Sequence, residues 1–411
     1  MERKYMAATH AMDKYLRDAN FDASDAAMKA IAKHGKEKVV NATLGAILDD
    51  DEKLACLPTV AETYRSLPIE EIARYAPIVG LPGYADAVLK TVFAGRKPAG
   101  YTAVVATAGG TGAVHQAIEN YVEKGDAVLT SDWHWGSYGV LCRESGCRLE
   151  TFQLFDEKLL FNKVSFKKAV DNILTNQESL LLIINTPAHN PTGFSLSMDD
   201  WEYVLAVCRE QVANGKKIQL LVDIAYIDYG GEKHEARKFM SLFDDLPEEI
   251  FVMYAFSLSK TFTFYGQRTG ALAAVSKNKE IIEEFKRVGK YSSRGTWSNC
   301  SRGAMAAFAK VMASTELEAK WEKERNDYYQ LIRSRAAIFA EEAEECGLTM
   351  LPYKAGFFIS VPTENSKEIC EKLHESLFFP VPLKLGIRIA VCAVPTKKMH
   401  GLAKLIKDAM M

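Results

Sequence analysis

One lysine and one acid stand out in the sequence because both adjoin strongly apolar runs. Lys260, in Ser257-Leu258-Ser259-Lys260, follows the run 250–256, and Arg268 comes eight residues later in Tyr265-Gly266-Gln267-Arg268. A lysine at the mouth of a buried strand is most often a solvated chain end, but a desolvated amine is also a nucleophile toward carbonyls and a carrier of protons. Its company has to decide. Asp223, in Leu221-Val222-Asp223-Ile224-Ala225-Tyr226, is an acid inside an apolar run. Burying it is costly unless it meets a cation or hydrogen-bond donors, and a positive group is expected to face it. Thr107-Ala108-Gly109-Gly110-Thr111-Gly112 runs straight into helical sequence. Glycines let a backbone approach an anion and a helix start favours phosphate, although the same string also makes an ordinary tight turn. Ser131-Asp132-Trp133-His134-Trp135 puts two tryptophans in a loop, where a flat ring either stacks on a heterocycle or packs on its own domain. In Asn185-Thr186-Pro187-Ala188-His189-Asn190-Pro191-Thr192-Gly193, two prolines and a glycine hold Asn190 at a rigid position, in a turn that serves either structure or binding.

Each of these strings follows a segment that reads as a strand. Runs at 101–106, 127–129, 149–154, 180–184, 218–222, 250–256 and 270–275 are short and apolar, and helical patterns such as 111–123 and 199–213 separate several of them. Continuous apolar strands in a βαβα rhythm imply an α/β fold with a mostly parallel central sheet covered on both faces. Such sheets bind ligands at the carboxyl ends of their strands, where the strings above fall. The rhythm changes afterwards. Residues 278–345 form a long, charged, amphipathic helical region, and 347–411 mix short strands with a final helix over 397–410, which suggests a smaller α+β domain. The first 45 or so residues read as helical. The expected division is a large domain over 49–315 and a small one from 316–411, with the N-terminal segment 1–48 joining the small domain.

Composition narrows the function classes. The 411 residues are 48% hydrophobic and 25% charged, with a net charge of −2. That is an ordinary globular profile with no basic footprint for nucleic acid or an anionic membrane. No stretch approaches a spanning helix and the N-terminus has no apolar targeting core, so a cytoplasmic location is expected. Eight cysteines contain no CxxC pair and the histidines no HExxH spacing, which favours reduced thiols and no protein-bound metal.

An amine, an anion turn, a guanidinium, an aromatic ring and a buried acid together suit pyridoxal phosphate, which has a phosphate, a flat ring, a basic ring nitrogen and an aldehyde. With these motifs in this order, the chain resembles the aspartate/aromatic aminotransferase branch of the fold-type-I pyridoxal-phosphate enzymes from about residue 41 to its C-terminus. The resemblance implies that Lys260 is the Schiff-base lysine. It makes Arg268, Ser257, Gly110 and Thr111 phosphate ligands, Asp223 the partner of the pyridine nitrogen, Tyr226 and Asn190 donors to the phenolic oxygen, and Trp135 the ring-stacking residue. Arg388, in Gly386-Ile387-Arg388-Ile389, would bind the substrate α-carboxylate, and Gly45, in Thr43-Leu44-Gly45-Ala46, would close over substrate. Tyr75, in Arg74-Tyr75-Ala76-Pro77, would reach the phosphate of a neighbouring subunit, which implies a homodimer with shared sites. Arg294 matches an arginine that meets a distal carboxylate across the dimer, and it favours aspartate or glutamate as one substrate. Here the chain departs from the family, with Cys300-Ser301 where two prolines usually follow Ser-Asn; the aim of that loop, and Arg294 as ligand or surface residue, stay open.

The implied reaction moves an amino group between an L-amino acid, aspartate or aromatic, and a 2-oxo acid such as 2-oxoglutarate. Alternatives on the same cofactor shell are a lyase or a decarboxylase. A pyridoxal-phosphate-binding sensor domain is a rival from another class, which the 40 leading residues and the acidic balance speak against.

Overall fold

The computed structural model describes residues 6–12, 14–15 and 19–411. Its centre is a seven-stranded sheet: β2 (Tyr101–Thr107), β3 (Ala127–Ser131), β4 (Arg148–Phe152), β5 (Ser179–Asn185), β6 (Lys217–Asp223), β7 (Ile250–Ser257) and β8 (Gly270–Ser276). β1 (Val40–Asn41) lies outside it. The spatial order is β2-β8-β7-β6-β5-β3-β4, with β8 antiparallel to both its neighbours and the other pairings parallel. The fold is therefore the α/β class expected from the strand rhythm.

Successive residues of one strand go to different cores. In β5, Leu180, Leu182 and Ile184 pack in one apolar cluster with Leu220 and Val252, whereas Leu181 and Ile183 pack in another with Val114, Ile118 and Met253. Side chains alternate across a strand, so an uninterrupted apolar run needs apolar cover on both faces. Each fully buried leucine or isoleucine contributes about 1.5–3 kcal/mol relative to exposure. The helix Gly109–Tyr121 supplies part of one cover and the helix Met198–Ala213 part of the other. A reciprocal capping box starts the latter: Ser197 Oγ accepts from the Asp200 N–H, and Asp200 accepts from the Ser197 N–H.

A third core gathers Ala42 and Ile47 with residues from Tyr329 to Ile406. It holds an antiparallel sheet in the order β11-β12-β9, with β9 (Ile359–Pro362), β11 (Val381–Leu383) and β12 (Gly386–Ile389), while β10 (Phe378–Phe379) pairs in parallel with β1.

Several expected boundaries move. The run at 149–154 stops as a strand at Phe152, because the Gln153 N–H donates to Ser165 Oγ and the Leu154 N–H to Asp132 Oδ1 instead of a neighbouring strand. The region 278–345 is three helices, Lys279–Thr296, Arg302–Ala313 and Thr315–Glu345. The last helix is split into Thr396–Met399 and Leu402–Ala409. Gly401, at φ 82°, makes the break, and Glu342 accepts its N–H at 2.7 Å. The N-terminal portion is not helical throughout: the helix Ala19–His34 leads to β1. Among the described residues no helix is long and apolar enough to cross a membrane.

Candidate active site

The carboxyl ends of the parallel strands open onto a cavity of about 260 Å³. Gly110, Thr111, Trp135, Asn190, Asp223, Tyr226, Ser257, Lys260 and Arg268 line it, together with Asn185, Ala225, Ser259 and Tyr265.

Lys260 sits on the one-turn helix Leu258–Thr261 that directly follows β7. Its Nζ donates to the Gly45 carbonyl at 2.5 Å and lies over three rings, 4.9 Å from the centroid of Tyr265, 5.3 Å from Phe357 and 5.4 Å from Tyr226. Burial lowers the ammonium from its ordinary value near 10.5 to about 8, and the charges of Arg388 and Arg268 push the same way. Near neutral pH about a tenth of this amine is therefore unprotonated, the state that attacks carbonyls, far more than at its ordinary value.

Asp223 ends β6. Its Oδ2 accepts from the Tyr138 hydroxyl at 2.5 Å and its Oδ1 from the Ala225 N–H at 3.1 Å. The positive group expected to face it is absent among the described residues of this chain; a phenol and an amide satisfy the acid instead. Burial drives its proton affinity up, against the pull of those two donors. Asn185 stitches the neighbouring strand end in place, with Nδ2 donating to the Asp223 carbonyl at 2.8 Å and Oδ1 accepting the Asn190 N–H at 2.7 Å. The His189 imidazole nearby is held neutral, pushed by burial down to about 3.

The third wall is shaped for an anion. Gly109 has φ 71°, and a Cβ there would lie 2.8 Å from Arg268 Nη2; a Cβ on Gly110 would meet Ser257 Cβ at 3.2 Å. The backbone therefore comes closer to the guanidinium than any side chain would allow. Arg268 is itself held by donating to Ser259 Oγ at 3.1 Å and the Tyr265 carbonyl at 2.9 Å. The first turn of the helix Gly109–Tyr121 turns amide N–H groups toward the same wall.

Arg388, on β12, does not line the cavity but touches it through Asn190. Nη1 donates to Asn190 Oδ1 at 3.4 Å, Nη2 donates to the Thr43 carbonyl at 3.2 Å and to Asn20 Oδ1, and the guanidinium lies 4.4 Å from the Phe358 ring centroid. Gly45 is beside them, where a Cβ would stand 3.4 Å from Phe358 and 3.9 Å from Lys260 Nζ. Gly45 and Arg388 thus border the cavity without lining it, and two more of the expected residues also lie outside the lining of a single chain. Tyr75 is 86% exposed, and its carbonyl accepts from Arg302. Arg294 is exposed in the last turn of Lys279–Thr296 and donates to Ser298 Oγ at 2.6 Å.

Ser259 is a hydroxyl of the Lys260 string, but the sequence assigns no site role to Tyr138, Asn185 or Tyr265. Tyr265 lies between Lys260 and Arg268 in the same string, which is a usable signal. Nothing in the string around Tyr138 says that its hydroxyl crosses to β6. Among the described residues no cluster of three His, Cys, Asp or Glu side chains could hold a metal ion, and all eight cysteines are free thiols.

A family model described as aminotransferase class I and II matches residues 37–406. An aspartate aminotransferase of Pseudomonas aeruginosa is 26% identical over 326 residues, covering 77% of this chain and 78% of its own. The crystal structure of an aminotransferase from Anaerococcus prevotii superimposes with a TM-score of 0.95 at 37% identity, covering 98% of both chains. An aromatic-amino-acid aminotransferase from Burkholderia pseudomallei, solved with covalently bound pyridoxal phosphate, shares the fold with a TM-score of 0.81 at 22% identity, over 99% of this chain and 100% of its own.

Proposed function

The chain belongs to the class I and II aminotransferases, and on that premise we propose that it moves an amino group between an L-amino acid, aspartate or aromatic, and a 2-oxo acid such as 2-oxoglutarate, with Lys260 at the reacting centre. One observation carries the reading: a buried amine, a buried acid and an anion cradle face a single cavity.

Pyridoxal 5′-phosphate is the cofactor, and the residues fit it. Arg268, Ser257 and the amides at Gly110 and Thr111 suit its phosphate, Trp135 its ring face, and Tyr226 with Asn190 its phenolic oxygen. Asp223, which has no cationic partner among the described residues, suits a protonated ring nitrogen. When bound, the cofactor supplies an aldehyde that an amine can capture and a ring that accepts the electron pair released at Cα.

The side chains divide the remaining work. Lys260 would hold the cofactor through its amine, and that amine, when free, would carry the proton taken from Cα. Asp223 would pair as a carboxylate with the protonated ring nitrogen; Tyr138 and the Ala225 amide orient its oxygens. Arg388 grips the substrate carboxylate with two parallel N–H donors, fixing which Cα bond is presented for cleavage. The Gly45 carbonyl, with the Tyr226, Tyr265 and Phe357 rings, surrounds the amine and limits water.

The exposed Tyr75 and Arg294 support a homodimer in which each protomer lends these two residues to the other's site. A panel of amino acids in the single half-reaction, read by loss of the visible band of lysine-bound cofactor, tests the substrate. Preference for aspartate that Arg294→Ala converts to preference for neutral amino acids is the expected result; indifference to the change points to aromatic or broad specificity. Turnover that needs no 2-oxo acid would replace the transaminase reading with a lyase.

A further inference from the structure

Behind the cavity wall, a second carboxylate is buried with no part in the reaction described above. Asp228 lies in the 3-10 turn Ile227–Tyr229, directly after Tyr226. Its Oδ1 accepts from Arg237 Nη2 at 2.6 Å, its Oδ2 from Thr261 Oγ1 at 2.7 Å, and its carbonyl from Arg325 Nη1 at 2.7 Å. Thr261 is the residue after Lys260, and its carbonyl accepts from Trp321 Nε1 at 3.1 Å. All five side chains are buried. Burial pushes the Asp228 carboxyl up, but Arg237, Arg325 and the Thr261 hydroxyl together hold it below the usual carboxylate range. Arg237 is anchored in turn by donating to the Thr91, Val92 and Lys233 carbonyls.

We propose that the Asp228–Thr261 bond is a positioning device, which locks the one-turn helix bearing Lys260 to the turn Ile227–Tyr229 that follows Asp223 and Tyr226. The inference rests on the Lys260 reading given above. A helix of one turn has no stability of its own, and a lysine amine stands at the end of four rotatable bonds, so a small tilt of that turn swings Nζ within the cavity. Thr261 resists the tilt at both of its polar side-facing atoms, the hydroxyl toward Asp228 and the carbonyl toward Trp321. Asp228 answers from the other segment and is itself fixed by two arginines. The helix Thr315–Glu345, which supplies Trp321 and Arg325, is the common support. Proton transfer depends steeply on the distance and angle of approach, so this clamp acts on rate more than on binding.

Thr261→Val tests it, because valine keeps the shape of threonine and leaves the Asp228–Arg237 pair intact, whereas Asp228→Asn would strand a buried arginine and risks failing to fold. The expected outcome for the valine holoenzyme is a kcat lower by about tenfold or more with KM little changed. In addition, stripped enzyme should recapture pyridoxal phosphate with a pH midpoint above the wild-type value, as the loosened amine gains water. Thr261→Ser should restore both. A valine variant that melts at lower temperature yet keeps wild-type kcat and an unmoved midpoint would show the cluster to be structural only and overturn the proposal. Wild-type enzyme that captures no cofactor, or Lys260→Ala enzyme that keeps its turnover, would instead defeat the Lys260 reading itself.

Discussion

Lys260 and Asp223 are under opposite electrostatic demands in the same cavity. Burial disfavours the charged form of both, lowering the lysine and raising the acid. For the lysine this is useful, since the neutral amine is the reactive form, but it has a thermodynamic consequence. An unfolded chain keeps this proton up to about 10.5, and the folded chain releases it near 8. Between those values the unfolded state binds more protons, so this group makes the cofactor-free enzyme more stable as pH rises through that window. Lys260→Met, which has no charge to bury, should therefore be more stable than wild type below pH 8, with the gap closing as the pH approaches 10.5. Chemical denaturation of both stripped proteins across that range measures it; a gap independent of pH would show that the amine is not desolvated. At this scale the residue types were legible in sequence, and the partners were not. An acid in an apolar strand announces a need, but whether a cation, a phenol or an amide meets it depends on Tyr138, 85 positions away.

Strands were legible wherever both faces are buried, because burial on two sides leaves an unbroken apolar run such as 180–184 or 250–256. Helix ends were less so. The break at Gly401 depends on Glu342 accepting its N–H, and the short stop of β4 depends on Asp132 and Ser165 capturing amides. The helix that starts at Gly109 allows a direct test of the anion wall. An alanine there would have to adopt φ 71° and place its Cβ 2.8 Å from Arg268. Gly109→Ala should weaken binding of pyridoxal phosphate by about tenfold, equivalent to about 1.4 kcal/mol, with the guanidinium displaced. Equilibrium dialysis against stripped enzyme reads the change, and an unaltered dissociation constant would place the phosphate elsewhere.

Over the whole molecule, the cavity lies at the strand ends of the sheet, and residues beside the third core touch its lining at Lys260 and Asn190. The sheet contributes Asp223 and Lys260 from strand ends, and the third core contributes Phe357, Phe358 and Arg388, with Gly45 alongside. The roles proposed for Tyr75 and Arg294 require a homodimer with shared sites. Mixing Lys260→Ala subunits with subunits carrying both Tyr75→Ala and Arg294→Ala should restore activity toward aspartate after exchange, because one site in each hybrid combines an intact Lys260 with intact partner residues. Sedimentation should show a dimer throughout. No gain on mixing, with exchange demonstrated, would mean that each site is complete within one chain.

The sequence by itself determined the class of fold and the family, because alternating strands and helices with reactive residues at successive strand ends form a local and ordered pattern. It also placed Gly110, Asn190, Asp223, Lys260 and Arg268 on strand ends that could share one ligand. Only the tertiary structure decided who touches whom: Tyr138 on Asp223, Gly45 on Lys260, Asn20 and Thr43 on Arg388, Asp228 on Thr261. Those contacts join residues up to 368 positions apart, and hydrogen bonds of that span follow from how strands are ordered and cores packed, which no local run of residues encodes.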